Sequence, residues 1–298
     1  MSVIDCQPIR APAGARPAGR LARPDRLALA AAAIVAAGLA VRLCCAGGPL
    51  WLDEIWSIEN LAPLGHFWQV FWGISHDNNH FLNSLWLYFA APTGAGAPIL
   101  RAPSIAMGAL AIAMMARLGA RHSPPAALAA AAMTALSYFF VNYSVEARGY
   151  AGSALALLVG FDALERAIEQ PGSRARFTLA AAMGIGLLWH LAILPAIGLF
   201  GLFCLFEERR RRGGFEPALA ATIRVFAPTA LAAIPALACV LAGIAVVGTL
   251  TIGGLRGFDA GQALGAIAEM ARDAIGVSPA APAWLVVAAG AAAVGIAL

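Results

Sequence analysis

The sequence predicts an all-α membrane protein: a polytopic transmembrane helical bundle with an outer-face loop of short interfacial helices after the first span. Three observations carry this. Of its 298 residues, 61% are hydrophobic and only 12% charged, too little polar surface to coat a water-soluble globule. Several apolar runs approach or exceed the ~20 residues a helix needs to cross a bilayer. Those runs are continuous and rich in Ala, Leu and Gly, without the period-two alternation of a membrane barrel.

Residues 1–26 are rich in Pro, Ala and Arg and lack hydrophobic periodicity, which predicts a disordered tail. Arg10, Arg16, Arg20, Arg23 and Arg26 precede the apolar run 27–46, so the positive-inside tendency makes that tail cytoplasmic. The run is long enough to span and lacks a clear small-residue cleavage site, so it reads as a retained helix and not a signal peptide. It opens a transmembrane module over 27–247, whose outer interfacial segment covers 47–99. There Trp51, Trp56, Phe67, Trp68, Phe71 and Trp72 suit short helices lying at the headgroup layer. The stretch 80–91 is short for a span and reads as interfacial or re-entrant.

A second span over 101–116 ends in Arg117, Arg121 and His122, a cytoplasmic flank by charge. The Ser123-Pro124-Pro125 corner opens a third, to about residue 141, and leaves 142–150 outside. A fourth, 151–164, returns to Arg166, Arg174 and Arg176. The run 177–206 is one steeply tilted helix or two short ones meeting at Trp189-His190. Two crossings keep both flanking arginine groups inside, so charge favours two. The span 219–247 carries Pro228 and Pro235 as kink points. Residues 248–282 read as an outer loop with a short amphipathic helix around 263–275, and 283–298 as the start of a further, truncated span. About seven spans precede it.

All 20 basic side chains are Arg, which with the Ala and Gly excess reads as a GC-rich bacterial coding bias. The net charge of +4 sits at helix ends and in short loops, so membrane orientation explains it and nucleic acid is no partner. Arg209 to Arg212 are an orientation signal, and Arg42 is expected to snorkel or to form an intramembrane pair. Cys6, Cys44, Cys45, Cys204 and Cys239 show neither disulfide nor metal spacing.

This topology gathers Asp53, Glu54, Glu59, His66, His76, Asp77, His80, Arg101, Glu146, Arg148 and His190 at one water–membrane boundary. Ionised groups are costly there, so such a cluster is a site hypothesis. Arginine pairs with phosphate oxygens and a carboxylate takes a proton from a hydroxyl, a combination suited to a lipid with a charged head. The plainer alternatives are acids at a solvated helix start for Asp53 and Glu54, and a pairing with Glu146 or a headgroup anchor for Arg148.

Trp51-Leu52-Asp53-Glu54 after the first span, His80 opening an interfacial helix, Arg101-Ala102-Pro103-Ser104 opening the second, and Tyr143-Ser144-Val145-Glu146-Ala147-Arg148-Gly149-Tyr150 after the third occur in order. Over residues 27 to 206 this resembles the C-type membrane glycosyltransferases, with aminoarabinose-lipid A transferases and protein O-mannosyltransferases as the nearest relatives. The resemblance implies transfer of a sugar from a polyprenyl-phosphate carrier to a lipid, glycan or protein hydroxyl, on the periplasmic face of a bacterial inner membrane. It assigns Asp53 as general base with Glu54 in support. It gives the donor phosphate to Arg148, Arg101 and His80, and acceptor contact or orientation to Glu146, Asp77 and His190. The step is a single inverting displacement. A divalent cation assists some relatives, and no metal ligands are read here. Two departures stand out: His80-Phe81-Leu82-Asn83 replaces a His-Pro-Pro-Leu pattern, and relatives continue well past 298 residues. A polytopic transporter and a catalytically inactive lipid-binding scaffold remain open as alternatives.

Overall fold

The computed structural model describes residues 26–170 and 172–251, with isolated positions at 261, 265 and 269. The expected tail up to residue 25, the amphipathic helix around 263–275 apart from positions 265 and 269, and the final apolar run 283–298 lie outside the described residues. Eleven α-helices and no strand are present among those described: α1 (Arg26–Cys45), α2 (Leu52–Glu59), α3 (Phe81–Ala90), α4 (Ala97–Leu100), α5 (Ala102–Ala120), α6 (Pro124–Leu136), α7 (Tyr138–Ser144), α8 (Tyr150–Glu169), α9 (Ser173–Trp189), α10 (Ile193–Arg212) and α11 (Phe215–Val247). The chain is an all-α bundle, as its composition predicts. The helices α1, α5 and α11 are long and apolar enough to cross a membrane, and α6 with α7 forms a fourth, broken candidate bent by 58°. That is fewer than the seven the flanks predict. The 20-residue helices α8 and α10 have the length, but each carries several charges.

One half of the bundle is α1, α5 and α6, which meet through small residues. Gly38 of α1 leaves no room for a Cβ, which would lie 2.4 Å from Ile112 Cδ1 and 3.0 Å from Ala135 Cβ. Small residues at such crossings let backbones approach where lipid removes the hydrophobic drive between helices. The other half, α8 to α11, closes around Leu164, Leu179, Met183, Leu187 and Ile193.

Polar contacts fix which helix ends lie together. Arg117 in the last turn of α5 and Arg121 at its C-cap reach Asp162, Glu165 and Glu169 near the end of α8. Arg211 of α10 donates to Ile168 O of α8 at 2.7 Å. Arg176 of α9 donates to Arg224 O of α11 at 3.3 Å. All these arginines therefore share one end. The helix α11 continues as one element through Pro228 and Pro235. Pro228 has no N–H for the carbonyl four residues back, and that carbonyl, Arg224 O, is the one Arg176 takes. The run 177–206 resolves into two helices, α9 and α10, broken at His190.

At the opposite end a cap forms from α2, α3, α4 and the 3-10 turn Phe67–Phe71. Val70, Leu87, Leu100 and Ala147 are buried beneath it. An isolated parallel bridge between His76 and Thr251 ties the cap to the chain leaving α11. Trp51, Trp56, Phe67, Trp68 and Trp72 stay exposed on its surface, as side chains of an interfacial layer should.

Arg42 neither snorkels nor finds an acid. It is fully buried and donates to Gly38 O, Thr134 O and Ala135 O. The last two are carbonyls that α6 leaves unpaired where it breaks at Ser137, so a cation capping a helix C-terminus replaces the expected ion pair.

Candidate functional site

The cap and the helix ends beneath it bring Asp53, Glu54, Asp77, His80, Arg101, Glu146, Arg148 and His190 into one neighbourhood, with two arginine–carboxylate pairs at its centre. Both acids sit in the first turn of α2, where the helix dipole favours negative charge. Adjacent residues project about 100° apart on a helix, and this decides their fates.

Glu54 points inward and is fully buried. Arg101 Nε lies 2.9 Å from its Oε1 and Arg101 Nη2 lies 2.7 Å from Oε2, a bidentate fork. The Trp51 N–H adds a bond to Oε2 at 2.7 Å, and the Ala147 N–H donates to Oε1. Burial pushes the Glu54 carboxyl up, but the Arg101 hydrogen bonds and the two backbone donors reverse this and hold it below its ordinary value. Arg101 gives its remaining N–H groups to Ala46 O, Gly48 O and Pro49 O, at 2.8 to 3.0 Å. All five guanidinium donors are then used. The phosphate contact expected of Arg101, and a catalytic contact for Glu54, give way to a sealed clamp holding α1, α2 and α5 together below the site.

Asp53 points outward, 44% exposed at its side chain, with Oδ2 2.7 Å from Arg148 Nη1. Its Oδ1 has no partner among the described residues. Arg148 donates through Nη2 to Asn78 Oδ1 at 2.8 Å and lies 4.7 Å above the Tyr150 ring centre, while its buried Nε has no partner. Asn78 Nδ2 returns a bond to Asp53 O at 2.8 Å, so one amide braces both members of the pair. The backbone of 147–148 is fixed by Asn83 on Ala147 O and by Ser104 on Arg148 O.

His80 and His190 stand against Tyr150 with their ring centres 4.5 Å apart. Burial first, then the neighbouring His190 and Arg148, holds His80 well below its ordinary value. His190 is lowered to about 4, by burial and then by Arg148. Both rings are neutral at pH 7, so His80 brings no positive charge to a phosphate. It shapes the wall beside Arg148, with its Nε2 buried and unpartnered. Glu146 accepts from Asn142 at 3.0 Å. Burial raises its carboxyl above the ordinary value, Arg148 opposes this, and Glu54 and Asp53 add to it. Asp77 pairs with His76 at 2.8 Å and reaches His190 electrostatically. Glu59 and His66 are exposed outside the cluster.

Gly149 is required for this wall. A Cβ there would sit 1.7 Å from Trp189 O and 3.1 Å from His80 Cβ, so the start of α8 and the end of α9 meet at the site only because it has none. Beside the clamp opens a cavity of about 540 Å³, lined mostly by apolar side chains of 50–52 and of α7, including Trp51, Leu52, Tyr138 and Val141, with Cys45 at its edge.

Asn78, Asn83, Ser104 and Tyr150 are site residues to which the sequence reading gave no role, although the last three lie in stretches it quoted. The asparagines were signalled by being amides inside an aromatic, apolar stretch. Among the described residues no three His, Cys, Asp or Glu side chains are grouped to hold a metal. No protein-family model, no curated protein and no solved structure matches this chain.

Proposed function

We propose that this protein is a membrane glycosyltransferase that moves a sugar from a polyprenyl-phosphate donor to an acceptor hydroxyl, with inversion at the anomeric carbon. The observation that carries the reading is the open Asp53–Arg148 pair, taken with the apolar cavity that opens at the neighbouring Glu54–Arg101 clamp. It joins a base, a phosphate ligand and a berth for a hydrocarbon tail. In the free protein Arg148 holds Asp53 and keeps donors unspent. A donor phosphate shares or takes over that guanidinium, and Asp53 turns to the acceptor. Its carboxylate accepts the hydroxyl proton, the oxygen attacks the anomeric carbon, and the bond from that carbon to the phosphate oxygen breaks. Polyprenyl phosphate leaves with its charge met by Arg148. Asn78 keeps base and guanidinium in register, and Glu146 with Asn142 lies where an acceptor would be oriented. No step runs through a metal. On this reading the site faces the periplasm, with the arginine-rich helix ends in the cytoplasm.

The test is transfer by purified protein from a panel of radiolabelled polyprenyl-phosphate sugars, alongside Asp53→Asn. Release of polyprenyl phosphate that depends on Asp53 supports the reading. Activity retained in Asp53→Asn removes the assigned base. The cavity has its own check, because a bound polyprenyl chain should slow maleimide labelling of Cys45. Protection without turnover across the panel would leave a lipid-binding scaffold. Neither protection nor turnover would return the reading to a transporter.

A further inference from the structure

We propose that Arg117, Arg121 and Arg166, set around the Asp162 carboxylate, form a phosphate-binding site at the end of the bundle opposite Asp53. They line a cavity of about 310 Å³ together with, among the described residues, Ala120 and Asp162. Asp162 is the floor, only 2% exposed at its side chain, while Arg117 is 57% and Arg166 45% exposed. Arg117 Nε and Arg121 Nη1 each lie 3.4 Å from the carboxylate, and Arg166 meets it through Nη2 and also bonds Asp162 O through Nε.

The division of labour follows from the donors left over. Arg121 is also tied to Glu165 and Glu169 at 2.5 and 3.1 Å, so its charge is largely answered inside the protein. Arg117 spends only Nε, which leaves both of its terminal nitrogens to the cavity, and Arg166 keeps Nη1. Arg174 adds to the positive field at Arg166. A buried carboxylate therefore fixes guanidinium planes that offer their other edges outward, a geometry suited to tetrahedral, multiply charged oxygen anions. The helix ends here lie where a membrane surface would run, so two sources share this chemistry: the headgroup of an anionic phospholipid and a soluble phosphate.

The experiment counts phosphatidylglycerol retained by the purified full chain in native mass spectrometry. Wild type should keep at least one more lipid than the Arg117→Gln/Arg166→Gln double variant. Arg209→Gln/Arg210→Gln, with the same change of net charge, should match wild type. A second arm titrates inorganic phosphate against delipidated protein and reads the melting temperature. A rise missing in the double variant assigns the site to free phosphate, and a response to lipid alone assigns it to a headgroup. Equal behaviour of wild type and double variant in both arms overturns the proposal. Asp162→Asn separates a built site from diffuse attraction. The variant is more positive, yet retention should fall because the guanidiniums lose their anchor, and a rise in retention would mean that no such site exists.

Discussion

Asp53 and Glu54 are neighbours in sequence, each is paired with an arginine, and the two pairs do different things. Glu54–Arg101 is closed: the carboxylate is fully buried, the arginine is 2% exposed, and every guanidinium donor has a protein acceptor. Asp53–Arg148 is open: the carboxylate is 44% exposed and the arginine has donors to spare. Saturation separates structure from chemistry here. A pair with nothing left to offer holds the fold, and a pair with unspent valence can bind and react.

The largest effect should come from breaking the closed pair. Glu54→Ala leaves Arg101 buried without its counter-charge, and losing one partner of a buried pair costs about 3–5 kcal/mol. Thermal melting in detergent should show it, and Glu54→Leu with Arg101→Met should recover much of the loss. If Glu54→Ala melted like wild type, the clamp would have been misjudged. Next comes the open pair, where the effect falls on rate. Asp53→Asn should lower transfer by roughly 10²- to 10⁴-fold, the range for losing a general base. Its stability should change by no more than about 1 kcal/mol, as for a partly exposed pair.

Asn78→Ala lies between these, because Asn78 belongs to the open pair yet is buried. Loss of its two hydrogen bonds should cost about 1–3 kcal/mol and raise KM for the donor more than it lowers kcat. The histidine wall should matter least to binding. His190→Gln should change donor affinity by less than roughly threefold, since a neutral ring contact is worth about 0.5 kcal/mol.

His190 should show in the pH profile instead. A base whose folded pKa lies near 4 against an ordinary 6.5 binds its proton more readily when unfolded. Its share of stability is full above pH 6.5 and is lost as pH falls toward 4, with His80 adding to the same limb. Glu146 has the opposite sign. Its raised carboxyl contributes fully below 4.5 and loses that share as pH rises through the raised value. Melting temperatures from pH 4 to 8 should therefore flatten on the acid side in His190→Gln and on the alkaline side in Glu146→Gln.

The sequence made the fold class legible because continuous apolar runs leave little choice, and the arginines at the flanks of α5, α9 and α10 do gather at one end of the bundle. It also set Arg148 and Asp53 at one boundary, though it offered Glu146 or a phosphate as the partner of Arg148 and did not read the bond to Asp53 across 95 residues. It did not separate Asp53 from Glu54, because which face of α2 is buried depends on where Arg101 arrives, and no local pattern encodes that. Arg101 and Arg148 look alike in one dimension, and counting their acceptors needs the carbonyls of residues 46 to 49 in space. Arg42 was misread for the same reason, since its partners are backbone atoms of a helix broken 92 residues away.

That broken helix bears on how the protein is made. At 13 residues α6 is only ~20 Å long, well short of a ~30 Å hydrocarbon core. Leaving the ribosome alone, it would expose unpaired carbonyls to lipid at its far end. The donor for two of those carbonyls, Arg42, belongs to α1, which is synthesised earlier. Insertion should therefore be sequential, with α1 waiting in the membrane as an internal template on which the later, shorter segment is completed.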